Sequence, residues 1–268
     1  MKTISISQIQ FEAKSTPFKN AELLKKYFEK TKKFKPNLIC TPECSNIITN
    51  DTDYLRKNTT FENDCPIIKM AKLYAKENTV NINIGSLLLK VINKKKLVNR
   101  SYFINTKGKI VKKYDKIHMF DVNINTKETH RESDTFQAGS NIVLLNIDKI
   151  KIGFTICYDL RFPNLFRQLA KKGAQIILMP AAFTVPSGKA HWEVMLRSRA
   201  IENSFFVIAT DMCGTHHTNR KTYGHSILVN PWGEIIAKAK SRPKILNSKI
   251  NLDEIKNVRN KIPAILHD

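Results

Sequence analysis

The sequence of 268 residues predicts an α/β protein in which a mixed system of sheets is covered by helices. Strand-like and helical patterns alternate in the first third of the chain and again around Cys157. Residues 175–180 form a fully apolar run, which is typical of a strand buried on both faces. No internal repeat, linker or low-complexity segment divides the chain, so we expect one domain spanning residues 1–268.

The first third of the chain predicts two strands and two helices. Residues 1–10 alternate apolar and polar side chains, which is the period of a strand. Residues 17–34 place apolar side chains on one face of an amphipathic helix. Residues 37–43 form a short apolar strand that ends at a carboxylate. Residues 66–78 fit a helix with proline in its first turn.

The middle of the chain is predicted to be rich in strands. Apolar patterning indicates strands at 81–91, 97–105, 110–118, 141–148 and 151–156. Residues 121–140 are polar and lack periodicity, so we expect a long loop there. Such loops more often carry functional residues than contribute to a hydrophobic core.

The last third predicts a return to alternating helices and strands. A helical pattern over residues 164–174 follows Cys157 and leads into the buried strand. The remaining predicted elements are a helix at 190–204, strands at 205–210, 227–229 and 234–239, and a basic helix at 252–262.

Composition places the chain among globular proteins, with 42% hydrophobic residues. No apolar run approaches the roughly 18 residues that span a bilayer. The first ten residues lack the apolar core of a signal peptide, so we expect a cytoplasmic protein without a membrane partner. An odd number of cysteines favours reduced thiols over a disulfide framework. They are Cys40, Cys44, Cys65, Cys157 and Cys213.

The formal net charge of +22 has two interpretations. It could attract an anionic partner such as nucleic acid or a membrane surface. Alternatively, it could reflect a composition that is rich in lysine, asparagine and isoleucine throughout. The lysines are scattered in short runs and no nucleic-acid-binding motif accompanies them, so we expect compositional bias and no nucleic-acid partner.

Cys157 lies at a predicted junction between a strand and a helix. The N-terminus of a helix offers unpaired N–H groups and a partial positive charge, which favour a thiolate over a thiol. This position therefore suits a nucleophile. The alternative is that Cys157 is a small buried hydrophobe, as most cysteines in apolar runs are.

Two other predicted strands carry an ionisable group near their ends, Glu43 and Lys116. A thiolate that attacks a carbonyl or nitrile carbon needs a base for its proton and a group that stabilises the oxyanion. It also needs an acid for the leaving amine. Because strand ends can converge at one edge of a sheet, we expect Glu43, Lys116 and Cys157 to form one site.

The three segments that carry these residues, TPE at 41–43, YDKIHMF at 114–120 and CYDLRFP at 157–163, resemble the motifs of the nitrilase superfamily of carbon–nitrogen hydrolases. The resemblance covers essentially the whole chain. It implies a four-layer α-β-β-α sandwich with no cofactor and no metal. Members of the family assemble through dimers, so the resemblance also implies a homodimer or a higher homo-oligomer.

The resemblance assigns a role to each catalytic candidate. Glu43 is implied as the general base, Lys116 as the group that stabilises the oxyanion, and Cys157 as the nucleophile. Glu132, in the polar segment, stands where the family carries a second glutamate that positions the lysine and the substrate. Interacting groups of this kind are expected to titrate as a coupled set.

The C-terminal half is similar to the ω-amidase-like branch, which hydrolyses terminal amides of α-keto acids. Residues 213–226 are more specifically similar to deaminated glutathione amidases, so deaminated glutathione is the expected substrate. Its carboxylates would suit bidentate contacts from arginine. The candidate substrate-binding residues are Tyr158, Arg161, Phe183, His191, Arg199, His216 and Arg220. Tyr158 would contribute its backbone N–H to the oxyanion, whereas Arg161 and Arg199 could instead be structural ion-pair partners.

Several alternatives remain open at this point. An ω-amidase acting on small keto-amides such as 2-oxoglutaramate is the nearest one, followed by a nitrilase or an N-carbamoyl hydrolase. A catalytically inactive basic binding protein belongs to a different class. Cys213, His216 and His217 could form a metal site, but their spacing is cramped and no fourth ligand is evident.

Overall fold

The computed structural model describes residues 3–125 and 128–268. Residues 1–2 of the predicted first strand and residues 126–127 of the predicted polar loop lie outside the described residues. In chain order the strands are β1 (Thr3–Gln10), β2 (Leu38–Cys40), β3 (Asn81–Leu89), β4 (Val98–Ile104), β5 (Ile110–Asp115), β6 (Asp121–Asn125), β7 (Glu128–Arg131), β8 (Leu144–Ile147), β9 (Ile150–Phe154), β10 (Ile176–Ala181), β11 (Phe206–Asp211), β12 (Cys213–Thr215), β13 (Lys221–Tyr223), β14 (Ile227–Val229), β15 (Ile235–Lys238) and β16 (Lys244–Asn251). The α-helices are α1 (Pro17–Thr31), α2 (Thr52–Asn58), α3 (Pro66–Asn78), α4 (Glu132–Thr135), α5 (Pro163–Lys171), α6 (Val185–Asn203) and α7 (Asp253–Lys261).

Two six-stranded sheets form the centre of the molecule. The first has the order β16-β1-β2-β3-β4-β5 and the second the order β15-β14-β11-β10-β9-β8. In each sheet the three central strands are parallel and the outer pairs are antiparallel. The structure therefore has the mixed sheets that the sequence predicted.

The sheets pack face to face, and helices cover their outer faces. The rings of Phe103 and Phe154, one from each sheet, meet edge to face at 6.3 Å between centroids. Helices α1 and α3 pack on the first sheet around a core that includes Leu24, Phe28 and Ile82. Helices α5 and α6 pack on the second sheet. The four-layer α-β-β-α sandwich is confirmed.

The two sheets approach each other closely at Gly85 in β3. A Cβ atom at this position would lie 2.0 Å from the carbonyl oxygen of Thr41 and 2.6 Å from the Cβ of Pro180. Only glycine allows backbone to come this near. The segment that follows β2, which carries Glu43, is therefore held directly between the two sheets.

Several segments differ from the sequence prediction, which also lacked helix α2 and strands β12 and β13. Residues 121–140 contain the hairpin β6–β7 and the helix α4 rather than one long loop. The hairpin strands pair with each other and not with either six-stranded sheet. Strand β6 alternates polar residues with Val122 and Ile124, but β7 is polar throughout, so no second apolar strand marks the hairpin in the sequence. Strand β16 was not predicted because its buried face, Leu246, Ser248 and Ile250, is interrupted by a serine. In the described part of the chain, no helix is long and apolar enough to cross a membrane.

Candidate active site

Glu43 follows strand β2 and is 3% exposed. Its Oε1 accepts hydrogen bonds from Lys116 Nζ at 3.1 Å and from Asn99 Nδ2 at 2.9 Å, and its Oε2 accepts one from the backbone N–H of Ala182 at 2.9 Å. Burial alone raises the pKa of Glu43. The Lys116 ammonium and hydrogen bonds from Cys157 and Asn99 outweigh burial and lower that pKa below its ordinary value. Glu43 is therefore a carboxylate in the resting site.

Lys116 follows strand β5 and is 2% exposed. Its ammonium donates to Glu43 Oε1 at 3.1 Å and to both oxygens of Glu132 at 2.8 and 3.1 Å. Burial alone lowers the pKa of Lys116. The charges of Glu132 and Glu43 outweigh burial and hold it well above its ordinary value. Lys116 is thus a fixed cation that can stabilise negative charge but cannot act as a base.

Glu132 is the first residue of the short helix α4. Its Oε2 accepts a hydrogen bond from the backbone N–H of Phe120 at 2.6 Å in addition to the contact with Lys116. Asn99 Nδ2 lies 3.4 Å from its Oε1 and so approaches both glutamates. We call Glu43, Lys116 and Glu132 the ion-pair cluster. Glu132 and Asn99 hold its lysine in a single position between the two carboxylates.

Cys157 comes after strand β9 and is buried beside the ion-pair cluster. Its φ of +49° lies in the left-handed region, an uncommon conformation for a residue with a side chain and one that costs energy. Burial and the Glu43 carboxylate raise the pKa of the Cys157 thiol well above its ordinary value, although Lys116 acts in the opposite direction. The resting form is therefore a thiol that is hydrogen-bonded to the Glu43 carboxylate.

The expected activation of Cys157 by a helix N-terminus is not what the structure shows. Residues Cys157–Arg161 form a 3-10 turn, and helix α5 begins only at Pro163. The dipole effect falls off within the first turn of a helix, so α5 does not lower the pKa of the thiol. Proton removal depends on Glu43 instead.

A cavity of about 390 Å³ opens above Cys157. It is lined by Glu43, Lys116, Glu132 and Cys157, all four catalytic candidates. Four of the predicted substrate-binding residues also line it, namely Tyr158, Arg161, Phe183 and Arg220. The guanidinium of Arg161 lies 5.8 Å from the centre of the Tyr158 ring and 6.0 Å from that of the Phe183 ring. The structure thus brings eight predicted site residues to one cavity.

Arg199 and His216 do not line this cavity. The guanidinium of Arg199 donates from Nε and Nη2 to the carbonyl oxygen of Leu160 and from Nη1 to Glu202. It is a structural group that supports the turn after Cys157. His216 is buried, and its Nε2 hydrogen-bonds the hydroxyl of Thr222 at 2.8 Å. Burial lowers the pKa of His216 to about 4, so it is a neutral core histidine.

His191 lies on the exposed side of helix α6 and does not line the cavity. Its Nδ1 is 3.2 Å from Nη2 of Arg161, so it touches the site only through that arginine. His217, the third member of the alternative metal site, has its Nδ1 2.9 Å from the hydroxyl of Thr49 and its ring stacked on Tyr54. Across residues 3–125 and 128–268, no group of three or more potential ligands is arranged to hold a metal ion.

Sequence reasoning missed two groups that hold Glu43. Asn99 is a buried polar residue within a predicted strand. The signal that could have singled it out is a polar residue in an apolar strand, since buried polar groups need hydrogen-bond partners. The backbone N–H of Ala182 leaves no mark in the sequence, because any residue but proline carries this donor.

The fold agrees with comparisons to known proteins. Residues 3–260 match the family model for carbon-nitrogen hydrolases. The chain is 38% identical over 235 residues to a deaminated glutathione amidase of Yersinia enterocolitica, covering 86% of this chain and 81% of the relative. It is 35% identical to a deaminated glutathione amidase of Dictyostelium discoideum, covering 100% of this chain and 94% of the relative.

The fold is also similar to that of a solved structure. Nit3 of Saccharomyces cerevisiae, a member of branch 10 of the nitrilase superfamily, superimposes with a TM-score of 0.88. The two sequences are 27% identical, and the match covers 98% of this chain and 95% of the yeast chain.

Proposed function

Because this chain belongs to the carbon–nitrogen hydrolase family and is a hydrolase of carbon–nitrogen bonds other than peptide bonds, we propose that it hydrolyses the terminal amide of an α-keto acid, with deaminated glutathione as its substrate. The observation that carries this proposal is the buried Cys157 thiol beside the Glu43 carboxylate and the Lys116 ammonium, in a cavity that Arg161 and Arg220 also line. We further propose that residues 1–268 act as one domain. No cofactor takes part in the proposed reaction.

The reaction begins with transfer of the Cys157 proton to Glu43. Glu43 is the acceptor because Lys116 keeps its own proton. As the thiolate attacks the amide carbon, a carbon–sulfur bond forms and the carbonyl electrons move to oxygen. Lys116 stabilises this oxyanion, and we assign the backbone N–H of Tyr158 as a second donor. Preorganised donors of this kind need no reorientation as charge develops, which is why a fixed lysine suits the task.

Collapse of the tetrahedral intermediate breaks the carbon–nitrogen bond. Glu43 returns its proton to the leaving nitrogen, which departs as an amine, and the acyl group remains as a thioester on Cys157. Glu43 then takes a proton from water, and the hydroxide attacks the thioester carbon. The carbon–sulfur bond breaks to release the acid, and Glu43 returns its proton to the Cys157 thiolate. For deaminated glutathione the products are 2-oxoglutarate and cysteinylglycine, while a primary amide would release ammonia.

Arg161 and Arg220, two of the three arginines that line the cavity, are the candidates for binding the carboxylates of the substrate. Arg161 belongs to the turn that follows Cys157 and packs near Tyr158 and Phe183. Arg220 reaches the carbonyl oxygen of Thr49 at 3.5 Å, and its charge acts on Cys44, the residue after Glu43. Since Glu43 protonates the leaving nitrogen, Arg220 is placed to bind the carboxylate of the leaving dipeptide, and Arg161 to bind that of the keto acid.

This assignment separates deaminated glutathione from 2-oxoglutaramate, the substrate of the alternative ω-amidase. Both compounds carry the keto-acid carboxylate, but only the first carries a carboxylate on its leaving group. The Arg220→Met variant should lose about 30-fold or more in kcat/KM for deaminated glutathione, as expected for a charge-assisted contact of about 2 kcal/mol, and almost nothing for 2-oxoglutaramate. The Arg161→Met variant should lose activity on both.

The deciding experiment measures 2-oxoglutarate, the product common to both substrates, in an enzyme-coupled assay. The proposal expects a higher kcat/KM for deaminated glutathione, and a preference for 2-oxoglutaramate would establish the ω-amidase instead. Nitriles and N-carbamoyl compounds complete the panel, and Cys157→Ala serves as the inactive control. A protein that hydrolyses none of these but retains DNA at physiological salt would be a basic binding protein.

We also propose that the protein is located in the cytoplasm, forms a homodimer and does not bind nucleic acid. Val194 and Ile201 on helix α6 are at least half exposed, and so is Trp232, whose neighbour in sequence, Gly233, contacts Ile201. An apolar face of this kind is typical of a protein–protein contact, and a second copy of this chain is the occupant implied by the family resemblance. Light scattering should give twice the monomer mass of 30.8 kDa, and Ile201→Glu should give the monomer.

A further inference from the structure

A second buried cluster lies next to the ion-pair cluster and takes no part in the proposed proton transfers. Its centre is Asp159, which is fully buried two residues after Cys157. Tyr114 and His118, which flank Lys116 at two residues on either side, both point at its carboxylate. Asp159 thus belongs to the turn that begins at Cys157, and its carboxylate contacts the segment that carries Lys116.

Four donors converge on this carboxylate. Oδ2 accepts hydrogen bonds from the hydroxyl of Tyr114 at 2.6 Å and from the backbone N–H of Ile156 at 2.8 Å. Oδ1 accepts one from the backbone N–H of His118 at 3.1 Å, and it lies 2.7 Å from Nδ1 of the same histidine. Burial and the charge of Asp159 raise the pKa of Tyr114 well above its ordinary value, so its hydroxyl stays a donor.

Capping of the local turn accounts for only one of these contacts. An aspartate at the third position of a turn commonly accepts the N–H of the residue before the turn, which here is Ile156. The other three donors come from residues more than 40 positions earlier in the sequence, Tyr114 at the end of strand β5 and His118 in the segment that follows it. Stacking of the His118 ring on Phe162, at 3.5 Å between centroids, adds a second contact between the same two segments.

We propose that Asp159 is a positioning residue that locks Lys116 and Cys157 into one fixed geometry. The inference rests on the proposed roles of these two residues. Lys116 can stabilise the oxyanion only if its Nζ lies at the right distance from the carbon that Cys157 attacks, and a displacement of about 1 Å can cost 100-fold in rate. Asp159 joins the backbone before Cys157 to residues on both sides of Lys116, so it sets that distance.

The chain offers a matched pair of variants to test this role. Tyr114 and Tyr102 are both buried tyrosines on neighbouring strands, and each donates its hydroxyl to a carboxylate, Tyr114 to Asp159 and Tyr102 to Glu62 at 2.9 Å. Changing either to phenylalanine removes one such bond and no other polar atom. Tyr114→Phe should lower kcat about tenfold with little change in KM, whereas Tyr102→Phe should leave both unchanged.

The assay uses p-nitrophenyl acetate, whose acyl transfer to Cys157 needs the oxyanion contact but not the keto-acid substrate. A result on this ester therefore stands even if the proposed substrate is wrong. Titration with iodoacetamide counts the reactive Cys157 sites, and each rate is expressed per site. A purely structural role for Asp159 would reduce the number of sites and leave the rate per site intact, which would overturn the proposal.

A double-mutant cycle tests whether the effect passes through Lys116. Asp159→Asn should slow acylation about 100-fold in the native background and only slightly in the Lys116→Met background. Equal losses in both backgrounds would show that Asp159 does not act through the lysine. If Asp159→Asn does not fold, the same cycle is run with Tyr114→Phe.

Discussion

Replacing Lys116 with methionine should destabilise the protein in a way that depends on pH. The variant keeps the side-chain volume but leaves Glu43 buried without its counter-ion. Breaking a buried pair by removing one partner costs about 3–5 kcal/mol of unfolding free energy. For a chain of this size such a loss lowers the melting temperature by roughly 10 °C.

The sign of the pH dependence follows from the pKa of Glu43. In the native protein this pKa is lowered, so the stabilisation by the carboxylate is present above its ordinary value of 4.5 and is lost as the pH falls through the lower folded value. Without Lys116 the cation that lowers the pKa is gone, and burial raises it above 4.5. The penalty is then full at neutral pH and disappears as the pH falls toward 4.5.

Urea unfolding at pH 8 and pH 5 measures this difference. The gap between native protein and Lys116→Met should be larger at pH 8 than at pH 5. The matched control is Lys113→Met on strand β5, since Lys113 forms an ion pair with Glu62 that is much more exposed. Such pairs contribute about 0–1 kcal/mol, so the control should show a small loss. A pH-independent loss for Lys116→Met would refute the reasoning.

Three further outcomes are expected. Glu132→Gln should lower kcat about 10- to 100-fold in steady-state assays because Lys116 loses the charge that fixes it, and an unchanged kcat would contradict this. Gly85→Ala should cost about 3 kcal/mol in urea unfolding because its Cβ would lie 2.0 Å from Thr41 O, and a neutral result would mean that the sheets can separate. Arg199→Met should cost about 1–3 kcal/mol by the same measurement without changing KM, and a raised KM would instead make Arg199 a substrate ligand.

The sequence predicted the sheet system and the convergence of the main site residues because these depend on strand patterns and on what stands at strand ends. Glu43, Lys116 and Cys157 follow β2, β5 and β9 and meet in one cavity. Their catalytic roles stay predictions that the proposed experiments test. The role of Glu132 came from the family resemblance, because β7, the strand directly before it, is polar throughout and has no apolar period.

Side-chain direction was the part that the sequence could not supply. Arg199 and His216 have the right chemistry for binding a carboxylate, yet they face the protein interior, where a carbonyl oxygen and a hydroxyl occupy them. Which way a residue points depends on how its helix or hairpin packs, and no local pattern records that. Cys157 was expected at a helix start, but a 3-10 turn separates it from α5, whose first residue, Pro163, is a helix-start signal that the sequence already carries.

The charge balance of the site explains why an anionic substrate requires the cavity arginines. Two carboxylates and one ammonium give the ion-pair cluster a formal charge of −1, and transfer of the thiol proton to Glu43 moves that charge without changing it. A keto acid entering this cavity would be repelled at the short distances of a buried site. Arg161 and Arg220 line the same cavity, as does Arg131, and together these arginines make the formal charge of the site positive. Removing Arg161 should therefore weaken every keto-acid substrate, whereas removing Arg220 should weaken only substrates that carry a carboxylate on the leaving group.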